Sequence, residues 1–204
     1  MTLIIPAILI FSAMLAFNLP AFYEGAKLAS AESAAEAQAY PASAPIRPFL
    51  AAILLCGGVL PTWVLTQDPA LTLFVLLLGS AAYIDCVTQW VPDLLIFLLS
   101  WLALSARLPG LSDVLQPLSG AAVMLLPPLL LNIITWMRSQ PPALASGDLY
   151  VLPAIGVWLT PTWSGACLAM SLLLTAIAGR FIRGVPFITV LYPVFVAVSL
   201  CGAL

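Results

Sequence analysis

Long apolar runs, broken by short polar or proline-bearing stretches, fill almost the whole chain. Eight runs can be distinguished, at about residues 2–22, 48–65, 71–84, 94–108, 118–137, 147–159, 163–178 and 187–203. A helix needs about 20 apolar residues to cross a bilayer, and most of these runs approach that length. The third holds only roughly 14, so either its helix continues through Asp85 or it ends with Asp85 below the membrane surface. Prolines punctuate the pattern. Pro6 and Pro20 fall near the ends of the first run, Pro109-Gly110 closes the fourth and Thr160-Pro161 the sixth. Pro127-Pro128 in the middle of the fifth predicts a kink that frees carbonyls for other partners. The pattern predicts an all-α, polytopic membrane helix bundle with about eight transmembrane segments. It divides into a first segment (1–22), an acidic Ala-rich loop (23–47) and a transmembrane bundle (48–204). The first 20 residues lack a basic n-region and a convincing cleavage site, so they are expected to remain as a spanning helix.

Composition agrees with the pattern. Hydrophobic residues make up 63% of the chain and charged residues 7%, with mean hydropathy +1.15, whereas a soluble domain carries about 25% charged residues. A net charge of −2 supplies no basic patch for nucleic acid. The chain has no histidine, which excludes Ser-His-Asp and Cys-His catalysis. Cys56, Cys86, Cys167 and Cys201 form no CxxC pair and are expected to be small buried hydrophobes; neither a metal nor a cofactor is called for. Acid–base chemistry is left to Asp and Glu, with Lys27 the single lysine.

Charge also sets an orientation. The loops after the first, fifth and seventh runs carry Lys27, Arg47, Arg138, Arg180 and Arg183, all on one side; the other side carries Arg107 alone. The positive-inside bias therefore predicts both termini outside and those loops in the cytoplasm.

Two acids lie at the edges of apolar runs on that cytoplasmic side, and an acid beside a lipid-buried segment is costly enough to point to function. One is Asp85. The other is Asp148, in Ala145-Ser146-Gly147-Asp148. Each has a plainer reading, Asp85 as an interfacial loop acid and Asp148 as a helix N-terminal cap. Asp93, after Pro92, is expected to cap the fourth segment, while Asp68 and Asp113 read as turn residues on the outer side. Together, Asp85 and Asp148 can form an aspartyl protease pair. Two carboxylates at about 3 Å share one proton. The ionised one draws a proton from water, and the protonated one polarises the scissile carbonyl and later helps protonate the leaving amine. Gly147 would let a helix or substrate backbone approach closely, or simply joint a loop to a helix. Glu24, Glu32 and Glu36 form either a solvated linker or an acidic collar that attracts a basic peptide.

The residues around these acids carry a family likeness. Ile84-Asp85 followed by Val91-Pro92-Asp93-Leu94-Leu95 resembles the first active-site block of the type IV prepilin peptidases, in which a proline follows the aspartate by seven positions. Ser146-Gly147-Asp148 with Leu152-Pro153-Ala154-Ile155-Gly156-Val157-Trp158-Leu159 is similar to the second, GxGD, block, and Gly184-Val185-Pro186-Phe187 to the turn that opens the last helix. Ala145 stands where the first glycine of GxGD is usual, and Tyr150 where a lysine is. The resemblance implies Asp85 and Asp148 as catalytic residues; Gly147 and Pro92 are expected near the substrate, and from the acidic stretch Glu24, Glu32 or Glu36 is expected to help attract its basic part. The substrate it implies is a prepilin or pseudopilin precursor with a short basic leader and a hydrophobic helix, cut on the cytoplasmic side of the bacterial inner membrane. The zinc-binding CxxC part of bifunctional members is missing from the short first loop, so an N-methylation activity using that site is not expected. Two alternatives stand beside this reading. One is a presenilin-like or signal-peptide-peptidase-like protease, although Pro142-Ala143-Leu144 precedes Asp148 here. The other is a small transporter with proline-broken helices.

Overall fold

The structure, a computed structural model, describes residues 4–30, 44–107, 114–181 and 184–202. These residues form eight helices and no strand: α1 (Ile4–Ser30), α2 (Pro48–Thr66), α3 (Pro69–Thr88), α4 (Asp93–Arg107), α5 (Leu115–Met137), α6 (Ser146–Gly156), α7 (Pro161–Ala178) and α8 (Phe187–Gly202). Five of them, α1, α2, α3, α5 and α7, are long and apolar enough to cross a membrane. Their outward faces present large side chains such as Ile10, Phe17, Leu130 and Leu173, as lipid-facing helices do.

Several helix bounds differ from the runs of the sequence pattern. α1 runs past residue 22 to Ser30, because Glu24, Ala26 and Lys27 favour a helix although they are not all apolar. α3 has 20 residues, so of the two alternatives for the short third run the helix that continues through Asp85 is the one found. Its last turn tolerates polar residues because Thr88 turns its hydroxyl back to the Ile84 carbonyl at 2.8 Å. α6, in contrast, spans only 11 residues, about 16 Å of rise, or half the hydrocarbon thickness. α5 continues through Pro127 and Pro128.

Local signals explain the ends. Proline occupies the first turn of α2, α3 and α7, where its missing N–H is not needed. Asp68 is more than a turn residue: it caps α3, its Oδ1 accepting the Ala70 and Leu71 N–H groups at 2.8 and 3.2 Å. α2 and α3 stop at Gln67 and Gln89, both in the left-handed region with φ of 51° and 54°.

α3 is the central helix. In its apolar window 61% of residues are buried, against 17–28% in the other four long helices. It packs against α1, α2, α4 and α8, while α6 is held between α4 and α5, and α7 between α5 and α8. Phe74, Val75, Leu78, Ala81 and Tyr83 form the buried side of α3, with Trp158 and Phe195 ringed around Phe74. Where α5 crosses the end of α6 the backbones approach closely: a Cβ on Gly120 would run into the carbonyl oxygens of Gly156 and Leu159. Of the cysteines, Cys167 is buried as expected, Cys56 and Cys86 are half-buried, and Cys201 is exposed on α8.

The bundle has two distinct ends. At one, Arg107 lies over the Trp158 ring at 4.9 Å and donates to the Trp158 carbonyl at 3.2 Å, near Asp68. At the other, the C-terminal end of α3 meets the N-terminal ends of α4, α6 and α8 around a cavity.

Candidate active site

That cavity has a volume of about 610 Å³, and both Asp85 and Asp148 line it. Asp85 projects from the last turn of α3, and Asp148 from the first turn of α6. They are 4% and 8% exposed, so two acids are buried at one site in a chain with eight acidic residues altogether.

Their surroundings differ. The Oδ2 of Asp85 accepts the backbone N–H of Ile188 at 3.0 Å and that of Thr189 at 3.3 Å. Asp85 thus caps the start of α8 from another helix, 103 residues away in sequence. The Thr189 hydroxyl donates to the Ala82 carbonyl at 2.8 Å and lies 3.5 Å from the same Oδ2. Asp148 is not the N-cap of α6; that position is Ala145, which has no side chain to cap with. Asp148 instead reaches back from the first turn to the Ala145 backbone N–H.

The other residues singled out from the sequence are distributed unevenly. Gly147 lines the cavity, but a Cβ there would meet only Val91 Cβ at 3.7 Å, an ordinary contact, so packing within the chain does not require glycine. Pro92 does not line the cavity; its carbonyl opens α4 by accepting the Leu95 and Ile96 N–H groups, which sets its neighbours Val91 and Asp93 into the wall. Asp93 falls in the first turn of α4 and adds a third, exposed carboxylate to the cavity lining. Glu24 is exposed on α1 and is not part of the lining, although Tyr23 beside it packs on Trp90, a wall residue, at 6.3 Å between ring centroids. Glu32 and Glu36 lie outside the described residues. Ala143 and Leu144 of the Pro-Ala-Leu stretch do reach the cavity, through the loop that leads into α6.

Three polar residues that shape the site have no counterpart in the sequence reading. Asn132 on α5 donates through Nδ2 to the Leu144 carbonyl at 2.8 Å and accepts the Leu144 N–H at 3.0 Å. Gln89 donates through Nε2 to the Gly184 carbonyl at 2.7 Å. Thr189 ties α8 to α3 as described above. A side-chain amide inside an apolar run is a signal that could have found Asn132, since a polar group there needs a partner. Gln89 and Thr189 carry no such mark.

No curated protein and no solved structure matches the chain. A family model does: that of the type IV leader peptidases matches residues 72–203, from the first turn of α3 to just past the end of α8, and the match includes both buried aspartates. On that match over well more than half of its length, the chain belongs to the type IV leader peptidase family and is a multi-pass membrane peptidase.

Proposed function

We propose that the protein is an aspartyl endopeptidase that removes the basic leader from type IV pilin-like precursors, prepilins or pseudopilins, at the cytoplasmic edge of the bacterial inner membrane. The observation that carries this reading is the pair Asp85 and Asp148, buried and lining one cavity at one end of the bundle. Two buried carboxylates lining a cavity with room for water and a peptide segment supply the acid and the base that peptide hydrolysis needs, without a covalent intermediate.

In the step proposed, one carboxylate takes a proton from water while the water oxygen bonds to the scissile carbonyl carbon. The other, protonated, carboxyl gives its proton to the carbonyl oxygen, which yields a neutral gem-diol. Collapse of the gem-diol breaks the C–N bond. A hydroxyl proton returns to one carboxylate, the leaving nitrogen receives the other, and one water is consumed for each bond cut. The precursor's hydrophobic helix would lie in the bilayer beside the bundle. Its leader would emerge at the cavity mouth near Asp93, and Glu24, Glu32 or Glu36 would help to attract its basic residues. The positive-inside bias supports this side as cytoplasmic, because Arg138 and Arg180 follow the two helices, α5 and α7, that end there.

The test is co-expression with a pilin-like precursor, read by its mobility shift. Wild type should shorten the precursor, and Asp85→Asn and Asp148→Asn should each leave it full length. Processing by either variant at the wild-type level would remove the aspartate pair from the mechanism.

A further inference from the structure

We propose that the first turn of α8 holds Asp85 as the proton-accepting member of the pair, with Thr189 as its positioning residue, and that Asp148 carries the shared proton. This rests on the aspartate-pair reading above and adds to it an assignment of roles.

The two carboxyls are built into their helices differently. Asp85 reaches across from α3 to the N-terminus of α8, where its Oδ2 accepts two backbone N–H groups, at 3.0 and 3.3 Å. A helix start presents unpaired N–H groups and the positive end of the backbone dipole, and both favour a carboxylate over a carboxylic acid. An oxygen already accepting two N–H groups cannot also bear a proton and donate it. Oδ2 is therefore committed to the helix end, which leaves Oδ1 to take a proton from water. Asp148 has the backbone N–H of Ala145, in its own helix turn, and it shares the cavity with Asp85. Asp93, the third acid of the cavity, is exposed on α4 and adds negative charge, not a counter-ion. The proton the pair retains thus belongs on Asp148, which would hand it to the substrate carbonyl.

Thr189 sets the geometry of this capping contact. Its hydroxyl donates to the Ala82 carbonyl at 2.8 Å, three residues before Asp85 on the same helix, while its N–H meets Asp85 Oδ2. One residue therefore pins the start of α8 to α3 at both ends of that helical turn. Without the hydroxyl, the two backbone N–H groups remain, but the register that aims them at Oδ2 is no longer fixed. A valine keeps the shape of the threonine and deletes this tie; a serine keeps the tie and deletes a methyl group.

The experiment is steady-state cleavage of a purified pilin-like precursor in detergent micelles by wild type, Thr189→Val, Thr189→Ala and Thr189→Ser, with rates counted per monodisperse enzyme. Asp85→Asn and Asp148→Asn are run beside them. A positioning role predicts that Thr189→Val and Thr189→Ala lose about 10-fold in kcat with KM within about twofold, and that Thr189→Ser recovers to within about threefold of wild type. Whichever of the two hydroxyl-free variants folds suffices for the comparison with serine. Wild-type kcat in a hydroxyl-free variant, a change confined to KM, or a serine variant as slow as valine would overturn the inference. If instead the Asp→Asn variants cleave normally, the aspartate-pair reading is what fails.

Discussion

The side chain of Asn132 binds Leu144 by both of its backbone groups, Nδ2 to the carbonyl at 2.8 Å and Oδ1 to the N–H at 3.0 Å. This fastens the loop between α5 and α6 to α5 just four residues before Asp148. The helix that carries Asp148 is short, so its entry loop has to be held from outside. Replacing Asn132 by Leu would leave both Leu144 groups without partners, at about 1–3 kcal/mol each if they stay buried. The expected outcome is a lower unfolding temperature together with slower precursor cleavage. Asn132→Asp, which keeps the acceptor and loses the donor, should fall between Leu and wild type. An Asn132→Leu enzyme that melts and cleaves as wild type does would show that the loop is held in some other way.

Gln89 and Gly184 lock the cavity wall on the opposite side. Both have left-handed backbones, with φ of 54° and 71°, and they are joined by the 2.7 Å bond from Gln89 Nε2 to the Gly184 carbonyl. An added Cβ on Gly184 would sit 2.8 Å from that Nε2. Gly184→Ala therefore combines a left-handed strain of roughly 1–2 kcal/mol with displacement of the Gln89 side chain. Gln89→Ala loses only the bond, so it should slow cleavage less than Gly184→Ala does. The reverse order, measured on the same precursor, would contradict the lock.

Two glycine substitutions should behave oppositely. At Gly120 a methyl group has no room against the carbonyls of Gly156 and Leu159, so Gly120→Ala should force α5 and α6 apart and lower both thermal stability and cleavage. At Gly57 no heavy atom lies within 4 Å of the added carbon. Gly57→Ala in α2 should be neutral, or stabilising by up to about 1 kcal/mol through helix propensity. Melting curves of the two purified variants make the comparison, and equal behaviour would contradict the close backbone crossing.

Asp68 caps α3 at the end away from the cavity, about 25 Å of helix rise from Asp85. Asp68→Ala should cost about 1 kcal/mol of stability and leave cleavage per folded enzyme unchanged. A fall in kcat without a fall in melting temperature would mean that the two ends of α3 are coupled in a way the packing does not reveal.

The apolar runs by themselves determined that this is a helical membrane protein, with eight helices among the described residues, because a lipid environment admits long apolar helices and demands little else of the residues. The scarcity of acids singled out Asp85 and Asp148, since a carboxyl at a membrane edge is costly without a purpose. Sequence spacing put both at one end of the bundle, and the tertiary structure gathers them around one cavity. The pattern left the length of α3 open between two alternatives, because its last turn is polar and is held helical through Thr88 and its contacts with α8. The shortness of α6 was hidden too, for an apolar run does not say where a helix stops within it. The sequence left the two aspartates equivalent. Only the folded chain distinguishes them, because the start of α8 reaches Asp85 from 103 residues away and leaves Asp148 with its own first turn. Hydrogen bonds of that range depend on how helices cross, and no local pattern of residues records it.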